Sequence, residues 1–370
     1  MRILYTVGFS GWWGSYPPNI LDRDDSGTVG GGEQCALRTA AGLADLGHEV
    51  VYASVAQPGM WRGVRFVDRF DWERVYATDG PWNAVVGWSD WTGLRGAVRR
   101  EGRVFAQQLN DMMVYHPWWE FTDVVAGASA DHVERLKEWS PQEARDACLW
   151  MPVSNGVDGS VFPKSDIKAP MDRPPWVGYW SSPDRGLVHV LEAWPRVLKA
   201  IPDARLRVYY KVQGFIDAVI PPDGGPAASG TAIYPATLLR HYLPRLKHMN
   251  VDLIDSTPRR VLAKDQMKCR VMCYPSDPTG YTEGFGQSVP ESMMAGCLPI
   301  VRLVDAFRSL WADGCWEIES GPTDPGFIEE IADKTIRGLL EWRGTSPSQD
   351  EMRAVAERWP WSRSAKAMED

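Results

Sequence analysis

Along the first half of the chain, apolar residues gather in short β-rich runs separated by stretches of helical period. RILYTV (2–7) reads as a strand. Residues 33–46 place Cys35, Leu37, Ala41, Ala44 and Leu46 near one side of a helix, and Gly47 ends it before a strand over 48–54. Further strands are expected at 83–88, 103–108, 123–129 and 148–153, with a helix at 130–139 between the last two. The strand cores are apolar almost throughout and alternate with helices. That pattern predicts a parallel sheet covered on both faces.

The alternation then pauses. Residues 155–175 carry four Pro, two Gly and no helical period, which marks a linker or hinge. Beyond it come a strand at 176–180, a helix at 186–200, a strand at 205–210 and a Pro/Gly-rich insertion at 221–230. Helices near 236–248, 258–267 and 287–295 follow, interleaved with strands at 251–255, 269–275 and 297–301. The expected fold class is therefore α/β: two βαβ halves, each a doubly wound parallel sheet because crossovers are right-handed. Ligands of such sheets sit at the carboxyl ends of the strands, so the default site is a cleft between two facing sheets.

Composition sharpens this picture. At 370 residues the chain is long enough for two domains, and 44% hydrophobic with 24% charged residues suits a folded globular protein. The net charge is −8, of which −6 lies in residues 1–150. Neither half is a basic nucleic-acid footprint. One basic run, Arg95, Arg99, Arg100 and Arg103, reads as a solvated helix face, with phosphate contact the alternative. No stretch is long and apolar enough to span a bilayer, and the N-terminus lacks a cleavable signal pattern. Six thinly spread cysteines read as free thiols, so a cytoplasmic location is expected. Asp22, Asp24 and Asp25 form a superficial Asp-x-Asp that reads as a loop, and no metal site is expected. The 19 Trp are unusual: Trp150, Trp194 and Trp342 read as packing residues, while the doublets Trp12–Trp13 and Trp118–Trp119 fall in loops, with Trp88 and Trp91 close by.

The strongest chemical signal lies at 269–301, CRVMCYPSDPTGYTEGFGQSVPESMMAGCLPIV. A buried strand gives way to a loop, then to Glu283, Gly284, Phe285 and Gly286, then to a helix carrying Glu291. The glycines permit close backbone approach of a ligand at a helix N-terminus, where free N–H groups and the helix dipole favour phosphate. Carboxylates only accept hydrogen bonds and suit vicinal hydroxyls. Two of them flanking a phosphate site fit a ligand with two diol-bearing rings around a diphosphate, that is, a nucleotide-sugar.

Residues 283–291 resemble the Glu-x7-Glu motif of retaining GT-B glycosyltransferases, in the family-4 form. Other segments are similar in the same order: 27–54 to the family's N-terminal glycine loop and helix, 153–163 to the turn opening the interdomain linker, 177–210 to the first βαβ unit of the donor domain, and ERWPWSRSAKAMED to a closing helix. The resemblance implies an acceptor domain over 1–155, a linker over 156–175, a donor domain over 176–350 and a helix in 351–370 packing back on the first domain. It implies that Glu283 contacts donor-sugar hydroxyls near the reacting centre and Glu291 the ribose hydroxyls. Gly284, Phe285 and Gly286 would offer N–H groups to the diphosphate, with Gly31 and Gly32 approaching donor and acceptor. Arg185 stands where the family has the Lys that neutralises the leaving phosphate, and its guanidinium forms bidentate bonds to phosphate. Its alternative is a salt bridge with Asp184 or Glu192. Tyr179 and Trp180 replace the family's second basic residue, for which Lys211 is a candidate. The loop between Ser276 and Glu283 is longer than usual. For the family's N-terminal His, the chain offers Asn110–Asp111 or His116.

The implied activity is retaining, metal-independent transfer of a sugar from a UDP- or GDP-sugar to an acceptor hydroxyl, with no cofactor. The acceptor stays open among glycans, small molecules and a hydroxylated nucleobase in DNA. The alternatives are a sugar-nucleotide epimerase or hydrolase on the same scaffold and a non-catalytic sugar-nucleotide binder.

Overall fold

A computed structural model describes the chain except residues 8–15, 24–28, 90–103, 110–117, 224–231, 256, 278–282 and 345, together with the side chains of Gln107, Leu109, Trp118 and Trp119. Outside the described residues lie Trp12, Trp13, Trp91, Asp24, Asp25, the Arg95–Arg103 run, Asn110, Asp111 and His116. The contacts divide the chain into two compact units: Met1–Asp158 with Tyr281–Gln287 and Trp359–Asp370, and Gly159–Gly280 with Ser288–Arg358.

The first unit holds, among the described residues, an eight-stranded sheet. Its strands are β1 (Arg2–Val7), β2 (Glu49–Ser54), β3 (Gly59–Trp61), β4 (Val64–Asp68), β5 (Ala84–Trp88), β6 (Val104–Leu109), β7 (Val124–Gly127) and β8 (Leu149–Pro152). They lie in the order β3-β4-β2-β1-β5-β6-β7-β8. Every pairing is parallel except β3 with β4, which is antiparallel. β1 and β2 are buried on both faces over five of their six residues, as an apolar run demands. The pair β3–β4 and the helix α2 (Trp72–Thr78) were not legible in the sequence. β3 is three residues long with two of them exposed, so it carries no apolar signature.

Helix α1 (Gly31–Asp45) packs one side on this sheet and the other on the C-terminal helix α13 (Trp361–Glu369). The approach of α13 is close because small residues face it: a Cβ on Gly42 would lie 2.5 Å from Ala365 Cβ. α3 (Ala130–Trp139) is capped by the Ser129 side chain, which accepts from the His132 N–H, and α4 (Gln142–Ala147) follows.

The second unit holds a six-stranded, wholly parallel sheet among the described residues: β9 (Trp176–Tyr179), β10 (Arg205–Tyr209), β11 (Val251–Ile254), β12 (Val271–Tyr274), β13 (Leu298–Val301) and β14 (Trp316–Glu317). Their order is β11-β10-β9-β12-β13-β14. Counted from its own first strand this is the doubly wound order whose direction reverses between β9 and β12. Its helices are α5 (Leu187–Ala200), α6 (Val212–Val219), α7 (Ile233–Tyr242), α8 (Arg259–Gln266), α9 (Ser288–Met294), α10 (Phe307–Trp311), α11 (Phe327–Leu340) and α12 (Gln349–Ala356). The helix expected over 236–248 ends at Tyr242 and continues as a tighter 3-10 turn over Leu243–Met249. Pro244 lacks the N–H that the α-helical ladder needs there.

Of residues 156–175, expected as linker, 156–158 fall in the first unit and 159–175 in the second. Arg173 is buried there; its guanidinium donates to the Lys168 and Cys269 carbonyls, and its own carbonyl accepts from Arg270. Trp194 is fully buried, with its indole N–H 2.6 Å from the Met249 carbonyl, and Trp342 is also buried, whereas Trp150 is half-buried. All six cysteines are unbridged. No described helix is long and apolar enough to cross a membrane.

Candidate functional site

In the second unit the reversal point of the sheet is lined by two loops. One leaves β9 and forms the 3-10 turn Pro183–Arg185, closed by Gly186 in a left-handed conformation. The other leaves β12 through Pro275, Ser276 and Asp277. The two touch: a Cβ on Gly186 would lie 3.0 Å from Pro275 and 3.3 Å from the Ser276 nitrogen. Arg185 therefore sits at the carboxyl end of the sheet, where doubly wound folds bind ligands. Its Nε is 3.7 Å from an Asp184 carboxylate oxygen and its side chain is 28% exposed. Lys211 is exposed beyond the end of β10, where it precedes α6.

His189, on the first turn of α5, ties these loops together. Its Nε2 lies 2.8 Å from Asp277 and its Nδ1 3.2 Å from Glu192. Burial by itself lowers the imidazole pKa, but the hydrogen bonds and negative charges of Asp277 and Glu192 outweigh it and hold the ring at about 9. The imidazolium is thus the neutral-pH form. Sequence reasoning passed over His189 because Asp277 is 88 residues away.

Tyr179 and Trp180, standing where a second basic residue was expected, do structural work. The Trp180 indole donates to the Ser288 carbonyl at 3.1 Å, and the Ser288 hydroxyl donates to the Trp180 carbonyl at 3.1 Å. This reciprocal pair fixes the start of α9 against the end of β9. Tyr179 is fully buried, edge-on to Tyr274 at 6.0 Å.

Glu291, on α9, is 4% exposed. Its Oε2 is 2.5 Å from Arg259 Nη1 and 3.4 Å from Gln266 Nε2. Neither partner was singled out from the sequence, since α8 shows only a mixed polar pattern there.

The remaining predicted residues belong to the first unit. Gly31 and Gly32 open α1 behind Gly30, which has extended backbone and no side-chain cap. Gly32 lies under the Trp88 ring; a Cβ on it would be 2.7 Å from Trp88 Cζ2. The Trp88 indole N–H is buried and has no hydrogen-bond partner among the described residues. α1 is also pinned by Arg38, whose guanidinium is 2.7 Å from Asp158.

Glu283 is 7% exposed, and Phe285 is buried edge-on to Trp359 at 5.9 Å. Gly286 has φ of +72°, which disfavours a side chain. Gly284 rests on His132: a Cβ there would lie 2.8 Å from the ring Nδ1. His132 is fully buried, and its Nδ1 accepts from the Ala128 N–H at 3.0 Å, which places the proton of the neutral ring on Nε2. Gln287 closes the segment by donating to the Gly156 carbonyl at 3.0 Å. The ring under Gly284 was invisible in the sequence because it comes from α3. Asp22 accepts from the Trp61 indole at 2.6 Å. Among the described residues no group of three or more His, Cys, Asp or Glu could hold a metal ion.

No protein-family model and no curated protein sequence matches the chain. Solved structures do. Sucrose-phosphate synthase from Thermosynechococcus elongatus aligns over 100% of this chain and 98% of its own, at 14% identity and a TM-score of 0.68. Anabaena HepE, in complex with UDP and glucose, aligns over 100% and 98%, at 14% identity and a TM-score of 0.63. AviGT4, a glycosyltransferase involved in avilamycin A biosynthesis, aligns over 100% and 96%, at 16% identity and a TM-score of 0.60. Full-length likeness at such low identity establishes architecture: the chain has the α/β two-domain fold of the GT-B glycosyltransferases.

Proposed function

We propose that the protein is a retaining glycosyltransferase of the family-4 type that uses a UDP- or GDP-sugar and needs no divalent metal. The observation that carries this reading is the reversal point of the second sheet, where Arg185 follows β9 beside the loop leaving β12 and that loop leads on to the Glu283–Glu291 segment. HepE, a protein of the same architecture, is described in complex with UDP and with glucose, which supports a uridine nucleotide as first donor to try.

In this reading the donor's anomeric carbon–oxygen bond breaks and its electron pair leaves with the diphosphate. The acceptor oxygen bonds to the same face of that carbon, and its proton passes to the departing phosphate. The main task of the protein is electrostatic. Arg185 faces the diphosphate with a permanent charge, and Lys211 is the second cation. Backbone N–H groups of Gly284, Phe285 and Gly286 supplement them, with Gly31 and Gly32 at the opening of α1. Glu283 accepts from sugar hydroxyls beside the reacting carbon, and Glu291 from the ribose. The domain roles follow: residues 1–155 take the acceptor, a glycan, a small molecule or a hydroxylated base, and 176–350 the donor.

A panel of UDP- and GDP-sugars screened by thermal shift, then mass spectrometry with pooled acceptors in the presence of EDTA, tests the proposal. One donor should raise the melting temperature by mass action, and a product heavier by one glycosyl residue should form. Rapid consumption of the donor without any acceptor would instead indicate an epimerase or hydrolase. Donor binding without any turnover would indicate a binding protein.

A further inference from the structure

We infer that Arg259 is a positioning residue that orients Glu291 for recognition of the nucleotide's ribose. The inference rests on the donor reading above. Arg259 opens α8 and is 6% exposed, and its side chain and that of Glu291 are each 5% exposed where they pair. Gln266 lies seven residues further along α8, two turns on and so on the same face. Both residues direct an N–H to one carboxylate oxygen, Oε2, at 2.5 and 3.4 Å. Two donors converging on one oxygen set the plane and the rotamer of the carboxylate. The guanidinium is itself held over the Phe162 ring, 5.6 Å from its centroid. Phe162 is fully buried, and its carbonyl accepts from Arg353 at 2.9 Å.

A merely stabilising role explains this arrangement poorly. Burying two charges costs desolvation that their attraction only roughly repays, and an apolar pair of similar volume would be as stable. A charge kept in such a place suits a carboxylate whose acceptor strength is used. Charge-assisted hydrogen bonds from hydroxyls are about twice as strong as neutral ones. Among the described residues the network is also short of one donor: Gln266 is fully buried, yet its Oε1 has no hydrogen-bond partner there. Arginine is the fitting cation, since its flat guanidinium lies over the Phe162 ring while one N–H reaches Glu291.

Calorimetric titration separates positioning from plain stability. UDP, GDP and their 2′,3′-dideoxy counterparts are titrated into wild type, Arg259→Gln and Arg259→Lys. Arg259→Gln should weaken the ribose nucleotide about tenfold or more, the scale of one hydrogen bond to a charged group. The dideoxy nucleotide should change less than about threefold. Arg259→Lys, which keeps the charge and loses the flat fork, should fall between, and it carries the comparison if Arg259→Gln does not fold. Equal losses on both nucleotides, or no loss on either, would overturn the inference while leaving the donor reading intact. A wild type that binds neither UDP nor GDP would overturn both.

Discussion

The imidazolium of His189 offers a direct check on the electrostatics at the reversal point of the second sheet. Its pKa is raised from 6.5 to about 9 by Asp277 and Glu192 against the lowering effect of burial. Taken whole, such a shift corresponds to about 3 kcal/mol at 1.36 kcal/mol per unit. The two carboxylates are 28% and 32% exposed, so solvent screens part of the attraction and about 1–2 kcal/mol remains. The sign follows from linkage: the folded state holds the proton more tightly than the unfolded one. The stabilisation is therefore complete below about 6.5 and is lost as pH rises through about 9. His189→Gln keeps a hydrogen-bonding side chain of similar reach but cannot carry the charge. Urea unfolding of wild type and variant at pH 6, 8 and 10 gives the difference in stability at each pH, in which unrelated titrations cancel. The difference should be about 1–2 kcal/mol at pH 6 and should largely vanish at pH 10. A difference that is constant over this range, or a ring that titrates near 6.5 by NMR, would refute the reasoning.

Other residues give equally definite expectations. Gly284→Ala drives a methyl group to 2.8 Å from the buried His132 ring, so activity should fall at least tenfold, with a stability cost of about 1–3 kcal/mol; His132→Ala in the same chain should restore part of both, and additive effects would show that the two do not meet. Arg185→Met should lower kcat by about a hundredfold or more while leaving the melting temperature nearly unchanged, because the Arg185–Asp184 pair is 28–30% exposed and such pairs add little to stability. Arg185→Lys should recover part or all of that loss, and an unaltered kcat in Arg185→Met would remove Arg185 from the chemistry.

The helices and strands were legible to the extent that burial writes a period into the chain. β1, α3 and α5 stand within a residue or so of the expected spans because each is apolar on a whole face or throughout. β3 and β14, with three and two residues, were not, since so short an edge strand carries no alternation. Glu283 and Glu291 could be singled out together because they share one local segment. Their surroundings could not. Arg259 is 32 residues from Glu291 in the chain, and His132 is 152 residues from Gly284.

What the sequence determined by itself was the class of architecture, and it supplied the motif on which the proposed ligand rests. Local spacing of apolar residues dictates parallel sheets, and a glycine turn between two carboxylates points to a nucleotide-sugar. What only the tertiary structure decided was which charges meet. Folding joins Arg259 to Glu291, and His189 to Asp277, by crossovers that pass through whole strands and helices. It also assigns residues 281–287 to the first unit although the residues on either side belong to the second. Chain order constrains such pairings weakly, because a long loop closes at nearly the same entropic cost whatever its exact length. Packing and the need to satisfy buried charge select the partners.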